Sequence, residues 1–281
     1  MLLSEFDFNL PDDLIAQEPL GKRDASRMLV LNRATQSWTD SYFEAFPSHL
    51  KRQDIVVLNN SKVIPARLVG NRAATGGRVE IFLVRKLDAN VWEALVRPGA
   101  RLRSGAQVTF GDGKLIAEIL DEPGAELRKV KFSCDGLFED VLGELGSTPL
   151  PPYIKRPSGF SAYDHERYQT VYAKHNGAIA APTAGLHFTP TVLNAVKSRA
   201  NIAEITLHVG YGTFEPVRVE NIAEHSVSSE TVEIANSAAE SINTARHSGG
   251  RTFAVGTTSV RALESAVSEN GQIRSGNLNA S

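Results

Sequence analysis

The sequence has little of what stabilises or anchors many other classes of protein. Its 281 residues include one cysteine, Cys134, so an internal disulfide and a cysteine-based zinc site are excluded. No apolar run approaches the length of a membrane span, and the N-terminus (MLLSEFD) lacks the basic and apolar regions of a signal peptide. We therefore expect a cytoplasmic protein without a membrane segment.

Several common catalytic signatures are also missing. There is no Walker loop, no Gly-x-Ser-x-Gly elbow and no His-Glu-x-x-His zinc motif. Gly210 and Gly212 follow a predicted strand, but no third glycine opens a helix, so they are not a dinucleotide-binding fingerprint. A metal hydrolase site built from His187, His208 and His225 is conceivable, yet nothing in their spacing supports it. We expect no metal.

The net charge of −2 argues against non-specific coating of nucleic acid, but the charge is unevenly placed. Residues 61–115 hold ten Lys/Arg and four acidic residues, whereas residues 201–281 hold five Arg and nine Glu. One part of the chain would therefore attract phosphates while the whole stays near neutral. Solvated strand faces explain the same pattern equally well.

The middle of the chain differs in texture from both ends. Between residues 63 and 134, short strand-like runs are separated by turn signals, with no helix between them. This spacing predicts a small antiparallel β-barrel inserted into a larger domain. The larger domain would comprise residues 1–62 and 135–281, where helices and strands alternate as in parallel α/β folds. Periodicity does not separate a closed barrel from an open sheet there.

Local signals predict several helices in the larger domain. Acidic residues near the start favour a short helix over residues 10–17, and residues 164–174 also have a helical pattern. Thr189 is a typical N-cap, followed by proline, for a helix that reaches about residue 199. Residues 229–246 are predicted to form one helix that two glycines end.

Four polar or glycine-containing clusters lie at the ends of predicted strands or at helix entrances. They are residues 59–60 (NN), 183–187 (TAGLH), 208–213 (HVGYGT) and 256–258 (GTT). Ligands of α/β folds gather beyond the carboxyl ends of the strands, so the clusters predict one small-molecule pocket. The stretch 181–189 (APTAGLHFT) is the clearest of them, because proline and glycine shape an uncharged loop there. Taken singly, each histidine is more often a packing residue, and each glycine only relieves backbone strain.

Long motifs follow one another across nearly the whole chain. They lie at residues 6–17, 23–27, 58–68, 149–154, 168–173, 181–189, 206–217 and 254–261. In these motifs and their order the chain resembles the S-adenosylmethionine:tRNA ribosyltransferase-isomerase family of queuosine biosynthesis. The resemblance implies an α/β barrel-like main domain with an inserted small antiparallel β-barrel.

The resemblance also implies the reaction. The ribosyl part of S-adenosylmethionine would be transferred to the aminomethyl-deazaguanine base in a tRNA anticodon loop. Rearrangement would give epoxyqueuosine, with release of adenine and methionine. The chain would thus be a transferase and isomerase of tRNA modification. Because S-adenosylmethionine is consumed as a substrate, no separate cofactor is expected, and we expect a monomer.

This chemistry requires a base for the carbon acid next to the sulfonium, a neutral attacking amine and stabilisation of the departing adenine. Under the resemblance, the candidates for proton transfer are His187, His208 and Glu230. Phe188, Tyr211 or Phe214 would lie against adenine or the sulfonium. The full set of substrate-binding candidates is Asn59, Asn60, Thr183, Gly185, Phe188, Gly210, Tyr211, Gly212, Thr213, Phe214, Thr257 and Thr258. The cations expected to hold tRNA phosphates or the methionine carboxylate are Arg23, Arg27, Lys62 and Arg67.

The chain departs from the family pattern in two places. Ser228 stands where the family usually has a histidine, so any role of that histidine is absent or taken over. The family also continues past residue 266 with further strands, whereas this sequence ends in the polar stretch 275–281. An α/β barrel without its last units would expose a sheet edge. The alternative hypothesis is therefore a truncated, non-catalytic remnant that binds tRNA or nucleotides.

Overall fold

The computed structural model describes residues 1–100, 102–156, 162–214 and 216–280, apart from the side chains of Ala162 and Phe214. The chain divides into two compact units. The first comprises Met1–Lys62, Pro152–Lys155 and Arg167–Ser281, and the second comprises Val63–Pro151 and Arg156–Glu166. The predicted insertion, residues 63–134, lies wholly in the second unit, which also takes in two segments beyond residue 134.

The first unit begins with a hairpin and a buried strand. The hairpin pairs β1 (Arg27–Asn32) with β2 (Ser37–Tyr42) in antiparallel register. Strand β3 (Ile55–Asn59) is buried at every position, as expected of a strand that is covered on both faces. Strand β4 (Ser61–Val63) starts after a single intervening residue.

The second unit contains a closed antiparallel barrel. Its strands are β5 (Arg67–Arg72), β6 (Arg78–Asp88), β7 (Val91–Arg97), β8 (Gln107–Phe110), β9 (Leu115–Ile119) and β10 (Arg128–Cys134). They pair around the barrel in the order β10–β7–β6–β5–β8–β9. Helix α1 (Phe138–Leu145) contacts the barrel through Phe138, whose ring centroid lies 5.1 Å from that of Phe132. The predicted small antiparallel barrel is confirmed.

The rest of the chain supplies the remaining elements of the main sheet and its helices. In order they are α2 (Ala162–Arg167), β11 (His175–Ala178), α3 (Pro190–Lys197), β12 (Asn201–Leu207), β13 (Glu230–Ile234), α4 (Asn236–His247), β14 (Thr252–Ala254), α5 (Gly256–Ala266) and β15 (Gly276–Ala280). Of the helices in the described ranges, none is long and apolar enough to cross a membrane.

The first unit is built on a five-stranded mixed sheet with the order β14–β3–β12–β13–β15. The first three strands are parallel, and β13 and β15 are antiparallel to their neighbours. Alternate side chains of β3 face opposite layers: Ile55 and Val57 pack with α4 and α5, whereas Val56 and Leu58 pack with α3. The α/β class is confirmed. Among the described residues this sheet has ends at β14 and β15, so it is an open layered sheet and is not closed like the small barrel.

Two predicted helices are shorter than expected. Residues 10–17 contain only a 3₁₀ turn at Asp12–Leu14, and α2 ends at Arg167, well before residue 174. The predicted cap at Thr189 is confirmed, because its Oγ1 accepts a hydrogen bond from Val192 N at 3.2 Å.

The prediction of one helix over residues 229–246 is wrong. Its first part is strand β13, and α4 begins only at Asn236. Glu230, Val232 and Ile234 are buried while the residues between them are exposed, which is the two-residue period of a strand. Glu230 therefore lies in the sheet, next to β12, and not at a helix start.

A buried ion pair ties together the starts of the three parallel strands. The Asp54 carboxylate accepts hydrogen bonds from Lys51 N and from the main chain and guanidinium of Arg251, at 2.6–3.2 Å. The Asp54 carbonyl accepts a hydrogen bond from Asn201 N at 3.0 Å, where β12 begins. Burial raises the pKa of Asp54, but the hydrogen bonds and the charge of Arg251 outweigh it and lower the pKa to about 2.

We expect Asp54→Asn to lower the free energy of unfolding at neutral pH by about 1–3 kcal/mol, because an amide N–H would face groups that donate. Folding lowers the pKa of Asp54, so its carboxylate stabilises the fold above the unfolded-state pKa of roughly 4, and this stabilisation is lost as the pH falls towards 2. Urea unfolding at neutral pH and at about pH 2.5 should show the difference between variant and wild type shrinking.

The control is Asp40→Asn on the exposed hairpin strand β2, which should stay within about 0.5 kcal/mol of wild type. An equal loss for Asp54→Asn at both pH values would contradict an ionised Asp54 that stabilises the fold.

Candidate functional site

The candidate site lies at the carboxyl ends of β3 and β12, where Asn59 joins the two strands. The buried Asn59 amide continues their pairing: Nδ2 donates to Leu207 O at 2.9 Å, and Oδ1 accepts from Leu207 N at 3.0 Å. Oδ1 also accepts from Ser61 N at 3.1 Å. One side chain thus sets the direction in which the chain leaves both strands.

Asn60 is bound to protein in a similar way. Its Nδ2 donates to Glu204 Oε2 at 3.1 Å, and its Oδ1 accepts from Thr206 Oγ1 at 2.8 Å. The Asn60 carbonyl accepts from Lys174 N at 2.7 Å. Asn59 and Asn60 are 0% and 5% exposed. Because both amides are buried and occupied, they hold the strand ends and do not bind substrate directly, which corrects their predicted role.

His208 follows Leu207 and is held from two sides. Its Nδ1 lies 2.8 Å from Ser61 Oγ. Gly177 packs against the ring, since a Cβ at Gly177 would lie only 2.8 Å from His208 Nδ1 and Cε1. Burial lowers the pKa of His208, the nearby His175 lowers it further, and Glu233 opposes both. The other ring nitrogen, Nε2, bonds to no described residue and is not sealed from solvent.

Glu230 is a buried carboxylate that is bound through both oxygens. Oε1 accepts a hydrogen bond from Gly210 N at 2.8 Å, and Oε2 lies 3.1 Å from Arg261 Nη1. Arg261 also donates to the carbonyls of Ser228 and Ala280 at 3.0 Å. Burial raises the pKa of Glu230, while the Gly210 N–H and Arg261 act in the opposite direction. This arrangement anchors the loop that starts at Gly210 and leaves neither oxygen free.

The loop after β12 includes a 3₁₀ turn at Tyr211–Phe214. At Gly210 an added Cβ would meet nothing nearer than 3.8 Å, so this position is open. At Gly212 the nearest atoms would be Cβ and Oγ of Ser228, at 3.4 Å. Ser228, which stands where the family usually has a histidine, is therefore a neighbour of this loop. Thr213 is exposed, and the Phe214 side chain lies outside the described residues.

The 181–189 loop contains a 3₁₀ turn at Thr183–His187. His187 Nδ1 lies 3.2 Å from Ala184 O within this turn, and its ring centroid is 5.4 Å from that of Phe43. The His187 Nε2 atom, like that of His208, bonds to no described residue and is not sealed from solvent. Thr183 is exposed. The turn therefore presents one imidazole nitrogen and one hydroxyl to solvent or ligand.

Phe188 and Gly185 serve the packing of this loop. The Phe188 ring is 1% exposed and lies 5.0–5.9 Å from the rings of Phe43, Phe46 and Tyr172. A ring enclosed in this way cannot stack on adenine, which corrects its predicted role. At Gly185 an added Cβ would lie 2.1 Å from the Tyr172 hydroxyl, so the glycine is required for close approach.

The predicted cations do not act as one group. Arg23 Nη1 donates to Leu186 O at 3.1 Å and to Arg167 O at 3.3 Å, so this guanidinium holds the 181–189 loop. Arg67 belongs to the barrel unit, where it pairs with Glu80 at 3.8 Å. Arg27 is exposed on β1, and Lys62 is half-buried in β4. Exposed Arg27 is the best placed of these four for a phosphate.

The start of α5 lies against the 181–189 loop. Gly256 has a φ of +83°, and an added Cβ there would lie 3.3 Å from Ala184 Cβ. Thr257 is exposed, whereas Thr258 Oγ1 is buried without a hydrogen-bond partner in the described part of the chain. No side chain caps the first turn of α5. Thr257 therefore stays available to a ligand, and Thr258 brings an unsatisfied hydroxyl close to the loop. In the described ranges no three His, Cys, Asp or Glu side chains are grouped to hold a metal ion.

Comparison with known proteins places this arrangement in a family. A family described as "Queuosine biosynthesis protein" matches residues 3–280. The chain belongs to the queuosine biosynthesis protein family. Relatives named S-adenosylmethionine:tRNA ribosyltransferase-isomerase are 48% identical in Desulfitobacterium hafniense and 49% identical in Caldanaerobacter subterraneus, each match covering 97% of this chain and 79% of the relative. The relative from Clostridioides difficile is 46% identical over 98% of this chain and 80% of its own length.

A solved structure is also similar in sequence. It is described as S-adenosylmethionine tRNA ribosyltransferase from Thermotoga maritima, and it is 32% identical over 95% of this chain and 75% of that chain, with a TM-score of 0.44.

In this member of the queuosine family, the sequence analysis missed the residues that position the candidates. Ser61 lies inside the motif at residues 58–68 but was assigned no role, although it contacts His208. Gly177 and Tyr172 constrain His208 and Gly185 from a distance in sequence. Only the glycine itself offered a signal, and one glycine in a predicted loop is too common to single out.

We expect Gly177→Ala to displace His208. A Cβ at Gly177 would overlap the imidazole, adding about 1–3 kcal/mol of overpacking to the cost of its φ of +149°. The matched control is Gly124→Ala, because Gly124 has a φ of +139° and an added Cβ there would meet nothing within 4 Å. Thermal unfolding should show a larger loss for Gly177→Ala, and only this variant should shift the His208 imidazole resonances. Equal losses with an unchanged His208 signal would contradict the contact.

Proposed function

We propose that this chain is an S-adenosylmethionine:tRNA ribosyltransferase-isomerase. It moves the ribosyl part of S-adenosylmethionine onto the aminomethyl-deazaguanine base of a tRNA anticodon loop, gives epoxyqueuosine-tRNA and releases adenine and methionine. The observation that carries the proposal is the family match over residues 3–280, together with relatives of that name at 46–49% identity. The enzyme acts as a cytoplasmic monomer, and no separate cofactor takes part because S-adenosylmethionine is itself consumed.

The site supports this chemistry through groups that remain accessible at the strand ends. His187 and His208 each leave Nε2 open, and Thr183 and Thr257 are exposed on the loop and helix that meet at Ala184. An imidazole nitrogen is a suitable acceptor for the proton of the carbon next to the sulfonium. The open position at Gly210 leaves room for a substrate to approach the main chain. Tyr211, half-buried in the following turn, stays the candidate aromatic contact for adenine or the sulfonium.

Glu230 takes a different part from the one assigned by the sequence. Because Gly210 N and Arg261 occupy its two oxygens, we assign it to holding the loop after β12 in place. Proton transfer then rests with the two histidines.

We expect His187→Ala to lower kcat for adenine release by about 10²–10⁴-fold, the usual range for losing a general acid or base, with little change in S-adenosylmethionine binding. The assay uses precursor-containing tRNA, chromatographic detection of adenine and calorimetric measurement of binding. The matched control is His247→Ala, because His247 Nδ1 also bonds a main-chain carbonyl, Asn243 O at 2.7 Å, on the exposed surface of α4.

Unchanged turnover in His187→Ala would make His187 a structural residue. A wild-type chain that is folded and binds both substrates but releases no adenine would refute the proposed activity and favour a binding remnant.

We expect Glu230→Gln to lower kcat by less than about 10-fold, because glutamine keeps an oxygen for Gly210 N and loses only the ion pair with Arg261. The same adenine assay measures this. A loss of 100-fold or more, with the fold intact by circular dichroism, would return Glu230 to the role of general base.

A further inference from the structure

The two histidines of the site share one bonding pattern. Each imidazole uses Nδ1 for a protein contact, His187 to Ala184 O at 3.2 Å and His208 to Ser61 Oγ at 2.8 Å. Each leaves Nε2 open. The two partners differ chemically, and that difference decides which nitrogen of each neutral ring carries the proton.

The partner of His187 is a carbonyl oxygen, which only accepts hydrogen bonds. His187 Nδ1 must therefore carry the proton and donate it to Ala184 O. In the neutral ring, Nε2 then holds a lone pair directed away from this contact. His187 thus presents a proton acceptor to the site.

The partner of His208 is a hydroxyl, which can donate or accept. Ser61 is 0% exposed, and within the described ranges its hydroxyl has no partner other than His208 Nδ1. A buried O–H left without an acceptor costs about 1–3 kcal/mol, whereas hydroxyl lone pairs tolerate being unpaired better. The Ser61 hydroxyl therefore donates to Nδ1, and the proton of neutral His208 lies on Nε2.

The surroundings of His208 keep it neutral. Burial and His175 lower its pKa, and only Glu233 acts in the other direction. A neutral imidazole with its proton on Nε2 is a hydrogen-bond donor and a very weak acid. It is suited to polarising a leaving group and not to removing a proton.

We propose that the two histidines divide the work: His187 accepts the proton at Nε2, His208 donates a hydrogen bond from Nε2–H, and Ser61 is the positioning residue that sets the His208 tautomer. This proposal rests on the proposed function. In the step assigned to His187, the C–H bond next to the sulfonium breaks and an Nε2–H bond forms. The electron pair stays on carbon, and the resulting imidazolium keeps its Nδ1–H bond to Ala184 O. His208 gives up no proton, because its N–H stabilises the charge that develops on a nitrogen of the departing adenine.

The tautomers are measured directly in the intact chain by long-range ¹H–¹⁵N spectra after histidine-selective labelling. The chain has seven histidines, and the two signals are assigned with His187→Gln and His208→Gln. We expect protonated Nδ1 for His187 and protonated Nε2 for His208. In Ser61→Ala, the Nδ1 signal of His208 should shift as it loses its donor, with Nε2 still protonated and His187 unchanged. Protonated Nδ1 on wild-type His208, or a flip of its tautomer in Ser61→Ala, would overturn the proposal.

Turnover supplies the second test. We expect Ser61→Ala to lower kcat about 10- to 100-fold with KM changed far less, because only the donor orientation is lost. Ser61→Cys, which keeps a weak donor, should fall between the two. The matched control is Ser259→Ala, which removes another fully buried hydroxyl, bonded to Val255 O at 2.9 Å, and should keep wild-type kcat. Equal kcat for Ser61→Ala and Ser259→Ala would contradict a positioning role.

The two proposals fail in different ways. If the tautomers are as assigned but the wild-type chain releases no adenine, the proposed function is wrong and the tautomer assignment stands. If adenine is released while His208 carries its proton on Nδ1, the proposed function stands and the division of roles is wrong.

Discussion

The side-chain amide of Asn59 takes the place of a peptide group at the point where β3 and β12 stop pairing. It bonds both main-chain groups of Leu207 and the N–H of Ser61, so it fixes the residues on either side of the site at once. Each of these buried groups would cost about 1–3 kcal/mol if left unpaired. The positions of His208 and Ser61, and hence their contact, depend on this one side chain.

The rest of the site is rigid for the same physical reason. Asn60, Glu230 and Arg23 each bond protein groups with their polar atoms, so they order the loops around the strand ends. Gly177 and Gly185 admit close approaches that a Cβ would prevent. Two imidazole nitrogens and a few exposed hydroxyls are left for the substrate. A reaction that needs oriented donors and acceptors benefits from such prior ordering, because nothing has to reorganise when charge develops.

Local patterns predicted the elements whose signals are local. The barrel was visible because turn residues recur at short, even intervals, and the cap at Thr189 because its partner lies three residues away. Residues 229–246 were misassigned because the two-residue period of β13 is short and leads directly into α4. The openness of the main sheet depends on which strands become its ends, and periodicity contains no information about that.

The sequence by itself determined the class of fold, the family and the stretches of chain that form the site, because long motifs and turn spacing are properties of the chain alone. The tertiary structure decided which of those residues work on substrate and which hold the others. Asn59 and Phe188 turned from candidate ligands into packing residues, and Ser61 gained a role, because of partners far away in sequence: Leu207 lies 148 residues from Asn59, and His208 lies 147 from Ser61. The role of a polar side chain follows from the atoms that already satisfy it, and only the folded chain brings those atoms together.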